Sequence, residues 1–214
     1  MEDVEVLSMD IFQTLVQQTD FPFESFTNKL QDEILEYKKG DEDGVYRSNQ
    51  AGTWHSNDLL FQSIESGQEL SQMFFDCFQK YAGAHATQPG EIHMKLSAWA
   101  MVYSNGGYAT VHTHPNCQFS GVFYVNTGEQ SDEVTATGTS IQAGDIEFVD
   151  TRGSGAFQVK GLNLQPAARI TPKTGRLIVF PSWLPHFVHP VRGDSTRISV
   201  ACNSKILQYN IHKE

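Results

Sequence analysis

The chain has 214 residues, 39% hydrophobic and 19% charged, a balance that fits one globular domain with a long core and excludes a disordered polyelectrolyte. Its formal net charge is −10, so an extended nucleic-acid partner, which needs Lys and Arg to neutralise phosphates, is not expected. No apolar run approaches the roughly 20 residues of a membrane span, the acidic start MEDVEVLSMD lacks the basic and apolar regions of a signal peptide, and Cys77, Cys117 and Cys202 form no zinc spacing, which predicts reduced thiols in a cytoplasmic protein.

In chain order, residues 1–86 read as a helix-rich part that packs on the core. Phe23, Phe26, Leu30, Ile34, Leu35 and Tyr37 predict an amphipathic helix over 21–39, ended by Lys38, Lys39 and Gly40. The polar, glycine-containing stretch 41–52 reads as a loop. Leu70, Phe74, Phe75, Phe78 and Tyr81 predict a second helix closing at Gly83. From Ile92 the pattern changes to short alternating runs at 92–103, 108–114, 119–126, 133–137, 145–149, 156–160, 176–180, 186–191 and 196–207, divided by glycine-rich turns. Regularly spaced short strands predict a sandwich, jelly roll or small barrel over 87–208, with the helices on one face of a sheet. The fold class is mainly β with flanking helices.

Three segments carry candidate chemistry. In Tyr108–Pro115, alternation along a strand puts His112 and His114 on one face, where two imidazoles can share a metal; the same pair also fits two hydrogen-bonded surface histidines. Next, the apolar run 177–180 enters a turn bracketed by Pro181 and Pro185, and His186 follows, 72 residues beyond His114. His189, three residues on, faces away from His186 and reads as structural. Finally, Arg197, Ser199, Ala201 and Asn203 share one strand face, opposite Ile198, Val200 and Cys202. An arginine and a serine side by side suit a carboxylate; an arginine on the solvent side of an edge strand fits the pattern as well.

The order HxH, distal His and then Arg resembles the Fe(II)/2-oxoglutarate-dependent dioxygenases. More narrowly, several blocks resemble a group of 2OG-Fe(II) oxygenases found in bacteria and phages: Gly52-Thr-Trp54-His-Ser56, Trp99, His112-Thr-His114-Pro115, Ser120-Gly-Val-Phe-Tyr124-Val, Phe180-Pro-Ser-Trp183-Leu-Pro-His186 and Arg197-Ile-Ser199-Val-Ala-Cys-Asn203. The resemblance spans about residues 50–207. It implies a double-stranded β-helix, a cupin-like jelly roll, with His112, His114 and His186 as iron ligands. It further implies that Arg197 and Ser199 hold the far carboxylate of 2-oxoglutarate, that Tyr124 reaches the same carboxylate, and that Asn203, Trp99 and Tyr103 line the pocket. O2 would be the co-reactant, and a small molecule or peptide would be hydroxylated with release of succinate and CO2.

One position departs from the broad superfamily, which carries a carboxylate where this chain has His114. Either three imidazoles bind the metal and the 2-oxoglutarate dianion balances its charge, or His112 and His186 bind with Asp145, Glu147 or Asp150 completing the set; the first reading agrees with the narrower group. Two other functions fit: a cupin-like three-histidine metalloprotein that does not use 2-oxoglutarate, and a non-catalytic binding module. Residues 126–174 match no interpretable motif, with Arg152 and Phe157 as substrate contacts there. The substrate is not legible, and a homodimer is compatible with the sequence.

Overall fold

The computed structural model of the protein describes residues 12–128, 132–134, 140–151 and 167–212. The first helical pattern forms α1 (Glu24–Gly40), which buries Phe26, Leu30 and Ile34. The second forms α3 (Gly67–Gly83), which buries Leu70, Phe74, Phe78 and Tyr81, and a short α2 (Leu60–Ser63) precedes it. Fully burying an apolar side chain of this size stabilises by about 1.5–3 kcal/mol, so the stripe, rather than helix propensity, anchors α3.

Both helices pack on a six-stranded antiparallel sheet, in the order β1 (Gln17–Asp20), β11 (Arg176–Pro181), β6 (Phe119–Asn126), β13 (Arg197–Ile211), β4 (Gly90–Tyr103), β3 (Thr53–His55). A five-stranded antiparallel sheet lies in the order β10 (Ala167–Ile170), β9 (Ile146–Val149), β12 (His186–Val188), β5 (Tyr108–His112), β2 (Asn49–Gln50). Strands β7 (Asp132–Val134) and β8 (Ser140–Gln142) form a separate pair. The fold is therefore mostly β, two antiparallel sheets with helices on one of them, as the alternating runs predict.

Alternation along β13 decides what faces what. Ile198, Val200 and Cys202 join Phe74 and Phe78 in the core beneath the helices. The opposite face, carrying Arg197, Ser199, Ala201 and Asn203, lines a cavity between the sheets. Smaller clusters border it, one with Trp99, Met101, Tyr103 and Val188, the other with Ile146, Phe148, Phe180 and Leu184.

Several elements differ from expectation. β2 lies inside the stretch 41–52 read as a loop, and β1, β3, β8 and β10 match no alternating run. These strands are short, and their extended form is fixed by backbone pairing with neighbouring strands, which composition does not encode. β5 ends at His112, so His114 stands beyond the strand rather than on it. The run 156–160, Arg152 and Phe157 lie outside the described residues.

Candidate active site

His112 and His186 face each other directly across the β5–β12 ladder, so their side chains share a face, and their ring centroids are 4.4 Å apart. His114 reaches the same point from the loop after β5. Its ring lies 5.0 Å from that of His112 and 5.1 Å from that of His186. The loop is tied to the proline-bracketed turn, because the His114 backbone N–H donates to the Ser182 carbonyl at 2.9 Å. Ser182 Oγ in turn shares a 2.8 Å hydrogen bond with Ser120 Oγ, which also donates to Asn203 Oδ1 at 2.8 Å. The segments carrying His114 and His186 are thus braced against β6 and β13.

Hydrogen bonding sets the tautomers. The Nδ1 atoms of His112 and His186 lie 2.7 Å from the Thr110 carbonyl and 2.9 Å from the Leu184 carbonyl. A carbonyl only accepts, so each Nδ1 carries the proton and each Nε2 presents a lone pair to the cluster. His114 Nε2 and His186 Nε2 stand 3.3 Å apart, and one ligand nitrogen from each of the three rings lies within 4.8 Å of the others. Two nitrogens each about 2.1 Å from one ion at near-right to tetrahedral angles are about 3.0–3.4 Å apart, so this pair has the spacing of two ligands of one metal.

Burial keeps the rings neutral. It depresses the pKa of His114 to about 2, with the His186 and His112 rings adding to the effect, and that of His186 to about 3. The pKa of His112 is also lowered by burial, against the opposing pull of the Thr110 carbonyl. Neutral imidazole is the form that binds metal. Among the described residues no carboxylate joins the cluster. Glu147 is turned away from it, ion-paired to Arg169 at 2.6 Å and hydrogen-bonded to His189 Nε2 at 2.8 Å, which gives His189 a structural place.

The cavity that the three rings line has a volume of about 400 Å³. Arg197 is 1% exposed within it, its guanidinium 4.4 Å from the Tyr103 ring and 5.5 Å from the Tyr124 ring. Arg197 Nε and Nη1 and Tyr124 Oη are buried and have no hydrogen-bond partner among the described residues. Burial pushes the Tyr124 phenol up to about 12 and raises that of Tyr103, so both remain neutral donors. Buried donors left unpaired cost free energy unless something fills the space, and these three converge where a carboxylate would satisfy them. Ser199, 2% exposed, lines the same cavity, and so do Asn203 and Trp99. The nine residues that the resemblance places at the site therefore all border one cavity, and the alternative ligands Asp145, Glu147 and Asp150 are not in its lining.

The cavity also holds residues that the sequence reading passed over. His55, part of a quoted motif but given no role, is 2% exposed and stacks on Trp99 with centroids 5.5 Å apart and planes at 9°. Burial lowers its pKa to about 4. Arg47 and Asp58 line the cavity as an ion pair, drawn from a polar stretch whose composition gives no sign of a site.

Residues 97–203, half of the chain, match a protein family described as Putative 2OG-Fe(II) oxygenase. No curated protein matches the chain. Among solved structures it is similar to a Pseudomonas putida prolyl-4-hydroxylase, with 18% identity over 89% of this chain and 91% of that one and a TM-score of 0.58. It is also similar to the viral collagen prolyl hydroxylase of Paramecium Bursaria Chlorella virus-1, with 12% identity over 90% and 96% and a TM-score of 0.56. A third similar structure is the non-heme alpha ketoglutarate dependent carbocyclase of nogalamycin biosynthesis, with 12% identity over 92% and 81% and a TM-score of 0.62. At these identities the likeness is one of fold: the jelly roll shared by such oxygenases. No helix among the described residues is long and apolar enough to cross a membrane.

Proposed function

The chain belongs to the 2OG-Fe(II) oxygenase family that it matches over residues 97–203, and from that membership we propose that it is an Fe(II)- and 2-oxoglutarate-dependent dioxygenase that hydroxylates a C–H bond of its substrate. The observation that carries this reading is the placement, in one cavity, of three neutral imidazoles beside a buried guanidinium with unpartnered nitrogens.

His112, His114 and His186 would hold the iron, the first and third through Nε2, each kept in register by the carbonyl that its Nδ1–H meets. When bound, iron and 2-oxoglutarate together supply the oxygen chemistry: 2-oxoglutarate is oxidised to succinate and CO2 and one atom of O2 is inserted into the substrate. The protein's own residues bind and orient. Arg197, Ser199 and Tyr124 take the far carboxylate of 2-oxoglutarate, with charge-assisted hydrogen bonds from the guanidinium and neutral ones from the two hydroxyls. Asn203 braces the turn that presents His186, through Ser120 and Ser182. Phe180 and Phe148, whose ring centroids lie 4.7 Å and 5.9 Å from that of His186, keep the floor of the site apolar and exclude water.

Three neutral ligands leave the charge of the ion to the cosubstrate dianion, so metal and 2-oxoglutarate are expected to bind with mutual reinforcement. The cupin-like alternative gives Arg197 nothing to do. The test is succinate formation by protein given Fe(II), 2-oxoglutarate and O2, compared with His186→Ala. We expect turnover by the former and at least a hundredfold less by the variant, with unchanged circular dichroism. Metal-dependent consumption of O2 without succinate would select the cupin-like reading, and full turnover by His186→Ala would remove that residue from the ligand set.

A further inference from the structure

From the Arg47–Asp58 pair at the cavity wall we infer that this enzyme acts on a substrate bearing a carboxylate, which Arg47 anchors. The inference rests on the oxygenase reading and extends it to the substrate. Arg47 Nη1 and Nη2 donate to the two carboxylate oxygens of Asp58 at 2.8 and 2.9 Å, a two-pronged pair that fixes the plane of the guanidinium. The backbone on either side is held too. Arg47 N–H donates to Asn49 Oδ1 at 2.7 Å, and the next carbonyl, that of Ser48, accepts from Thr110 N–H of the β5 strand that carries His112.

Arg47 Cζ lies 5.9 Å from the Trp99 ring centroid, and the His114 ring lies 5.6 Å from the same centroid. The guanidinium and a proposed metal ligand thus both lie against Trp99, with His55 stacked on it. Arg197 serves a different level of the cavity. It pairs with Tyr103 across the β13–β4 ladder, whereas Trp99 pairs with Ala201, four residues along, or about 13 Å. One guanidinium is buried at the inner end; the other is at the rim and open to solvent.

The rim pair is built for exchange. The side chains of Arg47 and Asp58 are 42% and 41% exposed, so their ion pair contributes little to stability and opening it to free Arg47 costs little. Between the two members of the pair, Arg47 is the one set against Trp99, and its planar fork matches two carboxylate oxygens.

The experiment measures binding of a panel of carboxylic acids, each with its primary amide and its amine counterpart, to the enzyme loaded anaerobically with Fe(II) and 2-oxoglutarate, by ligand-observed NMR. Expected is binding of acids at least about tenfold tighter than of their amides, a preference lost in Arg47→Ala, partly kept in Arg47→Lys, and increased in Asp58→Asn, where the competing carboxylate is gone. Titration of each variant with 2-oxoglutarate checks that the site is intact. Equal binding of acids and amides, an acid preference that survives Arg47→Ala, or an absence of acid binding by the unaltered enzyme overturns the inference. Preference for amines lost in Asp58→Asn overturns it in favour of Asp58 as anchor. If 2-oxoglutarate itself fails to bind, the oxygenase reading fails; if it binds and Arg47 is indifferent, only the carboxylate inference does.

Discussion

Arg197 shows how one residue can be costly to the fold and still belong there. A guanidinium 1% exposed, with two nitrogens unpartnered, is among the most expensive groups to bury; the two phenol faces recover only part of that cost. Replacing it by an apolar side chain of similar length should therefore leave the cosubstrate-free protein as stable as before or more so, while removing the carboxylate grip. Arg197→Met is expected to show a thermal midpoint at or above that of the unaltered protein without 2-oxoglutarate. It should lose the stabilisation that 2-oxoglutarate confers, with half-saturation raised by about 10- to 150-fold, as for loss of a charge-assisted hydrogen bond. A midpoint several degrees lower with unchanged half-saturation would make Arg197 a structural residue.

At the scale of the element, β13 and the turn before β9 make this site. β13 alternates so that one face packs under the helices and the other builds the cavity, and Gly144 lets the turn pass close beneath Arg197. Its φ is +73°, and a Cβ there would lie 3.3 Å from both Cδ and Nε of Arg197. Gly144→Ala combines backbone strain with that crowding and should destabilise by about 1–2 kcal/mol, lowering the midpoint by a few degrees. Because the neighbour that must give way is Arg197, half-saturation by 2-oxoglutarate should rise too; a variant that loses stability alone would uncouple the turn from the pocket. Elements of this kind were legible in the sequence where burial sets a period. α1, α3, β6 and β13 carry clear stripes or alternation, and Arg197, Ser199 and Asn203 could be put on one face from parity alone. Parity also grouped His112 with His114, although His114 arrives from a loop held by Ser182. Strands made only by backbone pairing left no such trace, nor did the Arg47–Asp58 pair. The latter depends on two polar loops meeting over Trp99, a long-range contact without local periodicity.

For the whole molecule, the buried histidines couple stability to pH. Folding lowers the pKa of His55 to about 4, of His186 to about 3 and of His114 to about 2, and lowers that of His112 as well, in each case chiefly by burial. In the unfolded chain all four titrate near 6.5. The unfolded state therefore binds more protons than the folded one below about pH 6.5, and stability must fall as pH falls from there toward the folded values. Each of the three histidines held at about 4 or below contributes at most about 1.4 kcal/mol per pH unit, so together they would steepen the loss to at most about 4 kcal/mol per unit below pH 5.5, with His112 acting in the same direction. Asp20 does not confuse this window. Hydrogen bonds from Arg176 and Lys173 hold its carboxyl well below the usual range, so its contribution disappears only at more acid pH, below about 4. Urea midpoints of the metal-free protein should thus be flat from pH 8 to 7 and drop steeply between 6.5 and 5. Because the folded rings stay neutral down to pH 5, protons do not compete for their lone pairs in that range, and the stabilisation gained on adding Fe(II) under argon should be about the same at pH 5 as at pH 7. His186→Ala removes one of these protons and one ligand, which should make the pH slope shallower and the metal effect smaller. A midpoint unmoved between pH 7 and 5 would mean that the rings are hydrated and free to protonate in the folded state, and the closed apolar setting from which the metal site is argued would not hold.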